Sequence, residues 1–202
     1  MGTLRPYPYP DGVEIPRLMP FQEYPWNNDH HLAAEAIRLR DTYGLTCAVE
    51  TGTCLGSTTL WLAENFDTVY SFELHRPSHA IAEARCSAHH NAHTILADST
   101  TGLRNTELPT ALYFLDAHWG DHCPLLDELD VIAQKGNKPC IIIHDFMVPG
   151  TTFGFDRMPD GTPFTIDLIR SRLDAIYPDG WQHRYPTEVA GAERGWVSIS
   201  PQ

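Results

Sequence analysis

The chain has 202 residues, of which 42% are apolar and 20% charged, the balance of a soluble globular protein. Its 26 acidic and 14 basic residues give a formal net charge of -12, which argues against a broad basic surface for nucleic acid or an anionic membrane. No segment approaches the ~20 apolar residues of a membrane span, and the N-terminus lacks the apolar region of a secretory signal. The five cysteines include no CxxC pair, so we expect reduced thiols in a cytoplasmic protein.

The N-terminal part of the chain divides into an arm and the start of the domain. Residues 1–27 are rich in proline and tyrosine, and we expect either an arm lying on the domain or a partly ordered tail. A helix is predicted from Asn28, an N-cap candidate, to Gly44, because glycine suits the position after a helix. Residues 28–202 are interpreted as one domain.

Beyond Gly44, short apolar strands alternate with helices. The predicted strands are LTCAVET, TVYSFEL, HTILADS, ALYFLDAHW and PCIIIHDF. A last long helix, TPFTIDLIRSRLDAIY, precedes WQHRYP and GWVSISP, which are expected to pair as an antiparallel hairpin. This alternation predicts a three-layer α/β domain with a mostly parallel sheet covered by helices on both faces.

The first five predicted strands share a carboxylate at their carboxyl ends. These residues are Glu50, Glu73, Asp98, Asp116 and Asp145. Ligands of such sheets gather beyond the carboxyl ends of the strands. A strand needs no terminal acid to fold, so this edge of the sheet is the expected functional site.

The turn after the first strand, ETGTCLGS, is the candidate cofactor loop. It has neither the glycine spacing of a dinucleotide fingerprint nor the lysine of a phosphate-binding P-loop. Gly52 permits a tight turn, and Gly56 permits close approach of the backbone to a ligand. Because Glu73 follows where an acid binds ribose hydroxyls, the pattern favours a nucleoside cofactor over a nucleotide.

Over residues 45–150 the chain resembles a known class of enzymes. VETGTCLGSTTLWLAE, VYSFEL and LADS look like motifs I, II and III of class I S-adenosylmethionine-dependent methyltransferases. Cys54 stands where motif I usually has its middle glycine, a departure found in the catechol O-methyltransferase-like and cephalosporin-hydroxylase-like branch. The resemblance implies a Rossmann-like methyltransferase fold and S-adenosylmethionine as cofactor.

The resemblance also implies a set of cofactor-binding residues. They are Glu50, Gly52, Thr53, Gly56 and Ser57 in the first loop, Glu73 at the ribose, and His75, Asp98 and Ser99 near the adenine. A plain loop position is an equal interpretation of His75.

A second group of polar residues follows the fourth and fifth strands. Asp116 and His118 leave one strand, and His144 and Asp145 leave the next. Ends of adjacent strands lie about 5 Å apart, so the four side chains are expected to converge on one ion or substrate. Carboxylates with imidazoles suit Mg²⁺, Mn²⁺, Fe²⁺ or Zn²⁺, with histidine favouring a transition metal. In the resembled metal-dependent O-methyltransferases, acids match Asp116 and Asp145, whereas His144 stands where an acid is expected.

The predicted function is methyl transfer from S-adenosylmethionine to a hydroxyl of a small polar metabolite. The hydroxyl must lose its proton as it attacks, so Asp116, His118 and His144 are the candidate catalytic residues, acting through a metal or as a base. A hydrogen-bonded structural role is the alternative for each. Two other functions stay open: a metal-dependent hydroxylase-like enzyme of the same fold, and a non-catalytic S-adenosylmethionine-binding module. Net acidity and the lack of an Asn-Pro-Pro-Tyr motif disfavour nucleic-acid methylation.

The acceptor pocket is predicted from the loops. Segment HDFMVPGTTFGFDRMPDG is long and glycine-bearing, as expected of a lid. Its acceptor-pocket candidates are Phe153, Phe155, Asp156 and Arg157. Trp119, either an acceptor-stacking ring or a core residue, and Asp121 lie in the loop after the fourth strand. A lid supplied by a neighbouring subunit would make the protein a homo-oligomer.

Overall fold

A computed structural model of the chain describes residues 4–9, 23–118 and 122–202, so Trp119 and Asp121 lie outside it. The strands are β1 Cys47–Thr51, β2 Thr68–Glu73, β3 Ala92–Leu96, β4 Leu112–Leu115, β5 Cys140–His144, β6 Trp181–Arg184 and β7 Trp196–Pro201. The helices are α1 His30–Tyr43, α2 Ser57–Asn65, α3 Arg76–Cys86, α4 Ser99–Asn105, α5 Leu125–Lys135 and α6 Ile166–Ile176, with a 3-10 turn at Pro25–Asn28. Within the described ranges no helix is long and apolar enough to cross a membrane.

The strands form one seven-stranded sheet in the order β3-β2-β1-β4-β5-β7-β6. Strands β1 to β5 pair in parallel, whereas β7 runs antiparallel to both β5 and β6. The predicted α/β fold with an antiparallel C-terminal pair is therefore confirmed. The strand order reverses between β1 and β4, and sheets of this kind bind ligands in the crevice at such a reversal.

Helices cover both faces of the sheet because the central strands are apolar on both sides. In β4, Leu112 and Phe114 pack against the face covered by α1, α2 and α3. Tyr113 and Leu115 alternate with them and pack against α4, α5 and α6 on the other face. Since successive side chains of a strand point to opposite faces, a continuous apolar run predicts the three layers.

The N-cap of the first helix lies one residue later than predicted. Asp29, not Asn28, is the N-cap, and its carboxylate accepts hydrogen bonds from the N–H groups of His31 at 2.9 Å and Leu32 at 3.3 Å. Asn28 belongs to the preceding 3-10 turn and has a left-handed φ of 63°. Gly44 ends the helix in the left-handed conformation, as predicted.

Residues 4–9 of the N-terminal arm pack against the domain through Arg85 of α3. The buried Arg85 guanidinium donates to the carbonyl oxygens of Tyr7 at 3.0 Å and Pro8 at 3.3 Å, and lies 4.1 Å from the ring centroid of Tyr9. It also donates to the carbonyl oxygen of Leu55, in the loop between β1 and α2. One arginine therefore joins the arm to the predicted cofactor loop.

Candidate active site

The five predicted strand-end acids lie along the carboxyl edge of the sheet. Glu50 is in β1, Glu73 ends β2, and Asp98 is the N-cap of α4, two residues beyond β3. Asp116 and Asp145 directly follow β4 and β5. Because β1 to β5 are parallel, these acids occupy one side of the molecule, on both sides of the strand-order reversal.

The loop between β1 and α2 depends on its two glycines. Gly52 and Gly56 have φ values of 85° and 82°, in the left-handed region. A Cβ atom at Gly52 would lie 2.5 Å from the backbone oxygen of Asp116, so the loop packs directly on the end of β4. Cys54 has a φ of 50° although it is not glycine. The conformation that a middle glycine would favour is therefore present without that glycine.

Glu73 joins this loop to the next one. One carboxylate oxygen accepts the N–H of Cys54 at 2.7 Å, and the other accepts the N–H of His75 at 2.7 Å. A carboxylate has about four acceptor positions, so two remain for a ligand. This arrangement suits the predicted binding of ribose hydroxyls.

Glu50 lies beneath the loop rather than at its surface. Its side chain is buried, and it accepts hydrogen bonds from the hydroxyls of Thr59 and Ser71, each at 2.5 Å. Burial raises the pKa of Glu50 to about 8, although the two hydroxyls act in the opposite direction. The structure thus gives Glu50 a role in joining β1 to α2 and β2.

Thr53 and Ser57, two further predicted cofactor residues, also bond to the protein. Thr53 is buried, with its hydroxyl 2.6 Å from that of Ser71. The Ser57 hydroxyl donates to the carbonyl oxygen of Glu23 at 3.2 Å. The first turn of α2 has no side-chain cap, so its backbone N–H groups are the polar groups left for a ligand there.

The residues predicted at the adenine lie on the β2 and β3 side of the sheet. The Asp98 carboxylate accepts the N–H of Thr101 at 3.1 Å and lies 3.6 Å from Nε2 of His122. His75 is exposed, and its Nδ1 is 2.9 Å from the hydroxyl of Ser78. Ser99 is buried, and its hydroxyl makes no hydrogen bond within the described residues.

Glu128 of α5 is a buried acid that the sequence analysis did not single out. Burial raises its pKa to about 7. The segment LLDEL contained a signal for it. Glu128 lies three residues after Leu125 and next to Leu129, so it falls on the apolar stripe of the helix, where an acid is unusual.

The four residues predicted to converge after β4 and β5 do lie together. His118 Nε2 is 2.8 Å from Oδ2 of Asp145 and 4.0 Å from Oδ1 of Asp116. His144 Nδ1 is 3.3 Å from both Oδ1 of Asp116 and Oδ2 of Asp145. Asp145 has a left-handed φ of 55°, a strained conformation of the kind that accumulates at functional sites.

Two residues from distant parts of the sequence complete this cluster. Asp156, one of the predicted acceptor-pocket residues, places Oδ2 3.2 Å from Nε2 of His118. Arg194, which the sequence analysis missed, donates to Oδ1 of both Asp145 and Asp156. Arg194 lies just before β7, 49 residues from Asp145, and no local sequence pattern marks it.

The carboxylates raise the pKa of both histidines in this arrangement. Burial alone lowers the pKa of His118, but Asp145, Asp156 and Asp116 outweigh it and raise the pKa to about 10. The pKa of the buried His144 is likewise raised by Asp145 and Asp116, against the effect of burial. The same attraction lowers the pKa of Asp145 despite its burial. The carboxylates that face the two imidazoles therefore favour the protonated form of each.

The cluster also fits a divalent cation. Ligand atoms of Asp116, His144 and Asp145 all lie within 4.8 Å of one another, and so do those of His118, Asp145 and Asp156. His144 Nδ1 is buried and, within the described residues, makes no hydrogen bond. A buried nitrogen that faces two carboxylates without making a hydrogen bond fits a metal ligand.

Comparison with solved structures assigns the fold to one class. The O-methyltransferase from Bacillus cereus, solved with SAH, has a TM-score of 0.59 and 17% identity, covering 86% of this chain and 81% of its own. TomG from Streptomyces achromogenes, an O-methyltransferase of tomaymycin synthesis solved with SAM, gives 0.58 and 12%, covering 85% and 79%. Precorrin 8w decarboxylase from Methanobacterium thermoautotrophicum gives 0.54 and 13%, covering 97% of each chain.

These identities are low, so the likeness establishes the fold. No protein-family model and no curated protein matches the sequence. The chain has the fold of the class I S-adenosylmethionine-dependent methyltransferases, as motifs I, II and III predicted.

Proposed function

We propose that the protein transfers a methyl group from S-adenosylmethionine to a hydroxyl of a small polar metabolite, assisted by a divalent metal. One observation carries the proposal: a set of hydrogen-bonding groups and a set of candidate metal ligands lie on the two sides of the strand-order reversal. On one side, the glycine loop and Glu73 offer hydrogen-bonding groups to a neutral nucleoside. On the other, Asp116, His144 and Asp145 offer ligands to a cation. Solved O-methyltransferases with this fold support the assignment.

On the cofactor side, the protein's part is to hold and orient. Bound S-adenosylmethionine would supply the electrophilic methyl group. The Glu73 carboxylate would accept the ribose hydroxyls, and the N–H groups of Cys54 and His75 fix its orientation in advance. The N–H groups at the start of α2 favour a ligand carboxylate, since a helix N-terminus carries partial positive charge.

On the acceptor side, the protein must manage the proton of the attacking hydroxyl. A divalent cation held by Asp116, His144 and Asp145 would lower the pKa of that hydroxyl. Carboxylates engaged in this way would hold the proton of His118 less strongly, so His118 would become available as a proton acceptor. Asp156 lies in the segment predicted to be a lid, and its contact with His118 would bring that lid to the reacting group.

The remaining features of the proposal concern the class of acceptor, the cellular compartment and the oligomeric state. The acidic net charge of -12 supports a small-molecule acceptor over nucleic acid or a membrane surface. All five cysteines are free, which supports a reducing compartment such as the cytoplasm. A second copy of the chain would supply part of the acceptor lid if the protein is a homo-oligomer. The molecular mass of the protein in solution tests this oligomeric state.

A second reaction on the same fold has a specific observation in its favour. The donor set of two carboxylates and an imidazole suits a transition metal as well as Mg²⁺. One solved structure with this fold carries the name of a decarboxylase. A metal-dependent hydroxylase-like or decarboxylating enzyme is therefore the alternative, and a preference for Fe²⁺ over Mg²⁺ and Mn²⁺ in binding would favour it.

Calorimetric titration with S-adenosylmethionine and S-adenosylhomocysteine tests the proposal, with Mg²⁺, Mn²⁺ or EDTA present. We expect binding of both compounds, at least tenfold weaker in Glu73→Gln, because a lost charged hydrogen bond costs about 1.5–3 kcal/mol. Glu83→Gln, an exposed change on α3, is the matched control and should leave binding unchanged. Absence of binding in the folded wild-type protein would refute the methyltransferase proposal and the cofactor-binding module together.

A further inference from the structure

Four charged side chains form a closed ring at the acceptor side of the site. Arg194 donates to Oδ1 of Asp145 through Nε and to Oδ1 of Asp156 through Nη2. The Oδ2 atoms of the same two carboxylates face Nε2 of His118, at 2.8 Å and 3.2 Å. Each carboxylate is therefore shared between Arg194 and His118, and Asp145 also faces His144.

This ring contains one of two possible cation sites that share Asp145. The first site comprises Asp116, His144 and Asp145, and the second comprises His118, Asp145 and Asp156. Arg194 contacts both carboxylates of the second site but only the shared Asp145 in the first. Within the described residues, Asp116 has no lysine or arginine within ion-pair distance, and its charged neighbours are the two histidines.

The backbone around Arg194 is arranged to hold its side chain in this position. Gly154 accepts the N–H of Gly195 at 2.8 Å and donates its own N–H to the carbonyl oxygen of Glu193 at 3.0 Å. These bonds lie on the two sides of Arg194 in the sequence. A Cβ atom at position 154 would lie 2.9 Å from Cδ and 3.1 Å from Nη1 of Arg194, so a glycine there leaves room for the arginine.

We propose that Arg194 is a built-in cation that fills the second site, keeps divalent ions out of it, and fixes Asp145 for the first site. A guanidinium presents a rigid set of donors that can bridge two carboxylates, and it stays charged at any ordinary pH. Its bond to Oδ1 of Asp145 leaves Oδ2 directed at the two histidines. The number of metal ions that the protein binds is thus set by Arg194.

The proposal extends the proposed function, but its central claim does not depend on how many metal ions the wild-type protein binds. Removing Arg194 leaves two carboxylates and an imidazole with ligand atoms within 4.8 Å and one fewer positive charge. That is the donor set of a divalent-cation site. The variant should therefore gain one site relative to the wild-type protein.

The test counts Mn²⁺ ions bound per chain, by titration calorimetry and by the electron paramagnetic resonance signal of free Mn²⁺. We expect Arg194→Met to bind one ion more than the wild-type protein, and Arg194→Lys, which keeps the charge, to bind the wild-type number. Adding Asp156→Asn to Arg194→Met should abolish the gained site. An unchanged count in Arg194→Met, or the same gain in Arg194→Lys, would overturn the proposal.

Two further measurements keep the test decisive. If Arg194→Met does not fold, Gly154→Ala serves instead, because its methyl group would displace the arginine side chain. It should gain the same site with weaker affinity, and a folded Gly154→Ala with the wild-type count would then overturn the proposal. If the wild-type protein binds S-adenosylhomocysteine but no Mn²⁺, metal assistance in the proposed function fails. A gained site in Arg194→Met would still support the role of Arg194.

Discussion

The two halves of the carboxyl edge hold their acids by different means. At β1 and β2, neutral donors hold the acidic side chains: Glu50 accepts from two hydroxyls and Glu73 accepts from two backbone N–H groups. At β4 and β5, cations surround Asp116 and Asp145. Neutral donors leave a carboxylate able to bind a neutral ligand such as a ribose, whereas paired charges can be exchanged for another cation.

The comparison also extends to the backbone. The cofactor half uses Gly52, Gly56 and Cys54 in left-handed conformations to form its loop, and the acceptor half has left-handed Asp145 at the end of β5 and left-handed Glu193 next to Arg194. Strain of this kind costs about 1–3 kcal/mol per residue other than glycine, so the surrounding contacts must offset it. A variant that disrupts ligand binding in one half should therefore leave ligand binding in the other half measurable.

Gly52→Ala should have the largest effect of the changes considered. Its Cβ would lie 2.5 Å from the backbone oxygen of Asp116, at a φ of 85°. Backbone strain and overpacking together are expected to cost about 4 kcal/mol and to abolish S-adenosylhomocysteine binding. Urea denaturation and calorimetry would measure the two effects.

Gly136→Ala is the matched control for that change. Gly136 has a φ of 70° and no atom within 4 Å of a Cβ, so only the strain of a left-handed alanine is added, about 1 kcal/mol. Equal losses of stability in the two variants would mean that the close approach between β1 and β4 does not constrain the loop.

Asp145→Asn should have the next largest effect, confined to the acceptor half. The change leaves His118, His144 and Arg194 facing an amide, and breaking a buried ion pair from one side costs about 3 kcal/mol. Mn²⁺ binding should be lost while S-adenosylhomocysteine affinity stays within about twofold. Asp167→Asn, which breaks an exposed pair with Arg170, should cost under about 0.5 kcal/mol. A large loss of S-adenosylhomocysteine affinity in Asp145→Asn would show that the halves are not independent.

The sequence predicted those features that depend on strand ends and local spacing. Parallel strands align their carboxyl ends, so the convergence of Asp116, His118, His144 and Asp145 followed from the positions where β4 and β5 end. The glycine loop and Glu73 followed from spacing along a single strand-turn-helix-strand unit. In these cases one short stretch of sequence contained both the strand and the functional residue at its end.

The features that the sequence did not predict depend on contacts between distant segments. Arg194 reaches Asp145 because the backbone near β7 pairs with Gly154, and no local pattern records that pairing. Glu50 had the expected position, but its burial depends on hydroxyls of α2 and β2. Side-chain direction at a strand end is decided by such contacts, which is why the position of an acid could be predicted but not what it binds.

Glu50→Gln should change the pH dependence of stability. The pKa of Glu50 is about 8 in the folded chain and near 4.5 when unfolded, so between these values the folded state keeps a proton that the unfolded state loses. This group therefore contributes a loss of stability of about 1.4 kcal/mol per pH unit as pH rises through that window, and none below it. Glutamine cannot titrate, so denaturation midpoints of the variant should fall less steeply from pH 5 to 8. Parallel midpoint curves for the two proteins would contradict the buried, protonated Glu50.

Ser71→Ala should have the smallest effect, and it tests whether the cofactor half is held by neutral hydrogen bonds. The buried Ser71 hydroxyl donates to Glu50 at 2.5 Å and lies 2.6 Å from that of Thr53, so its loss should cost about 1–2 kcal/mol. Ser78→Ala removes an exposed hydroxyl that lies 2.9 Å from His75 and should cost about 0.5 kcal/mol or less. Because neutral donors are insensitive to ionic strength, the cost of Ser71→Ala should be the same at 0.05 M and 0.5 M salt in urea denaturation. A cost that shrinks with salt would mean that a charged network holds this half as well.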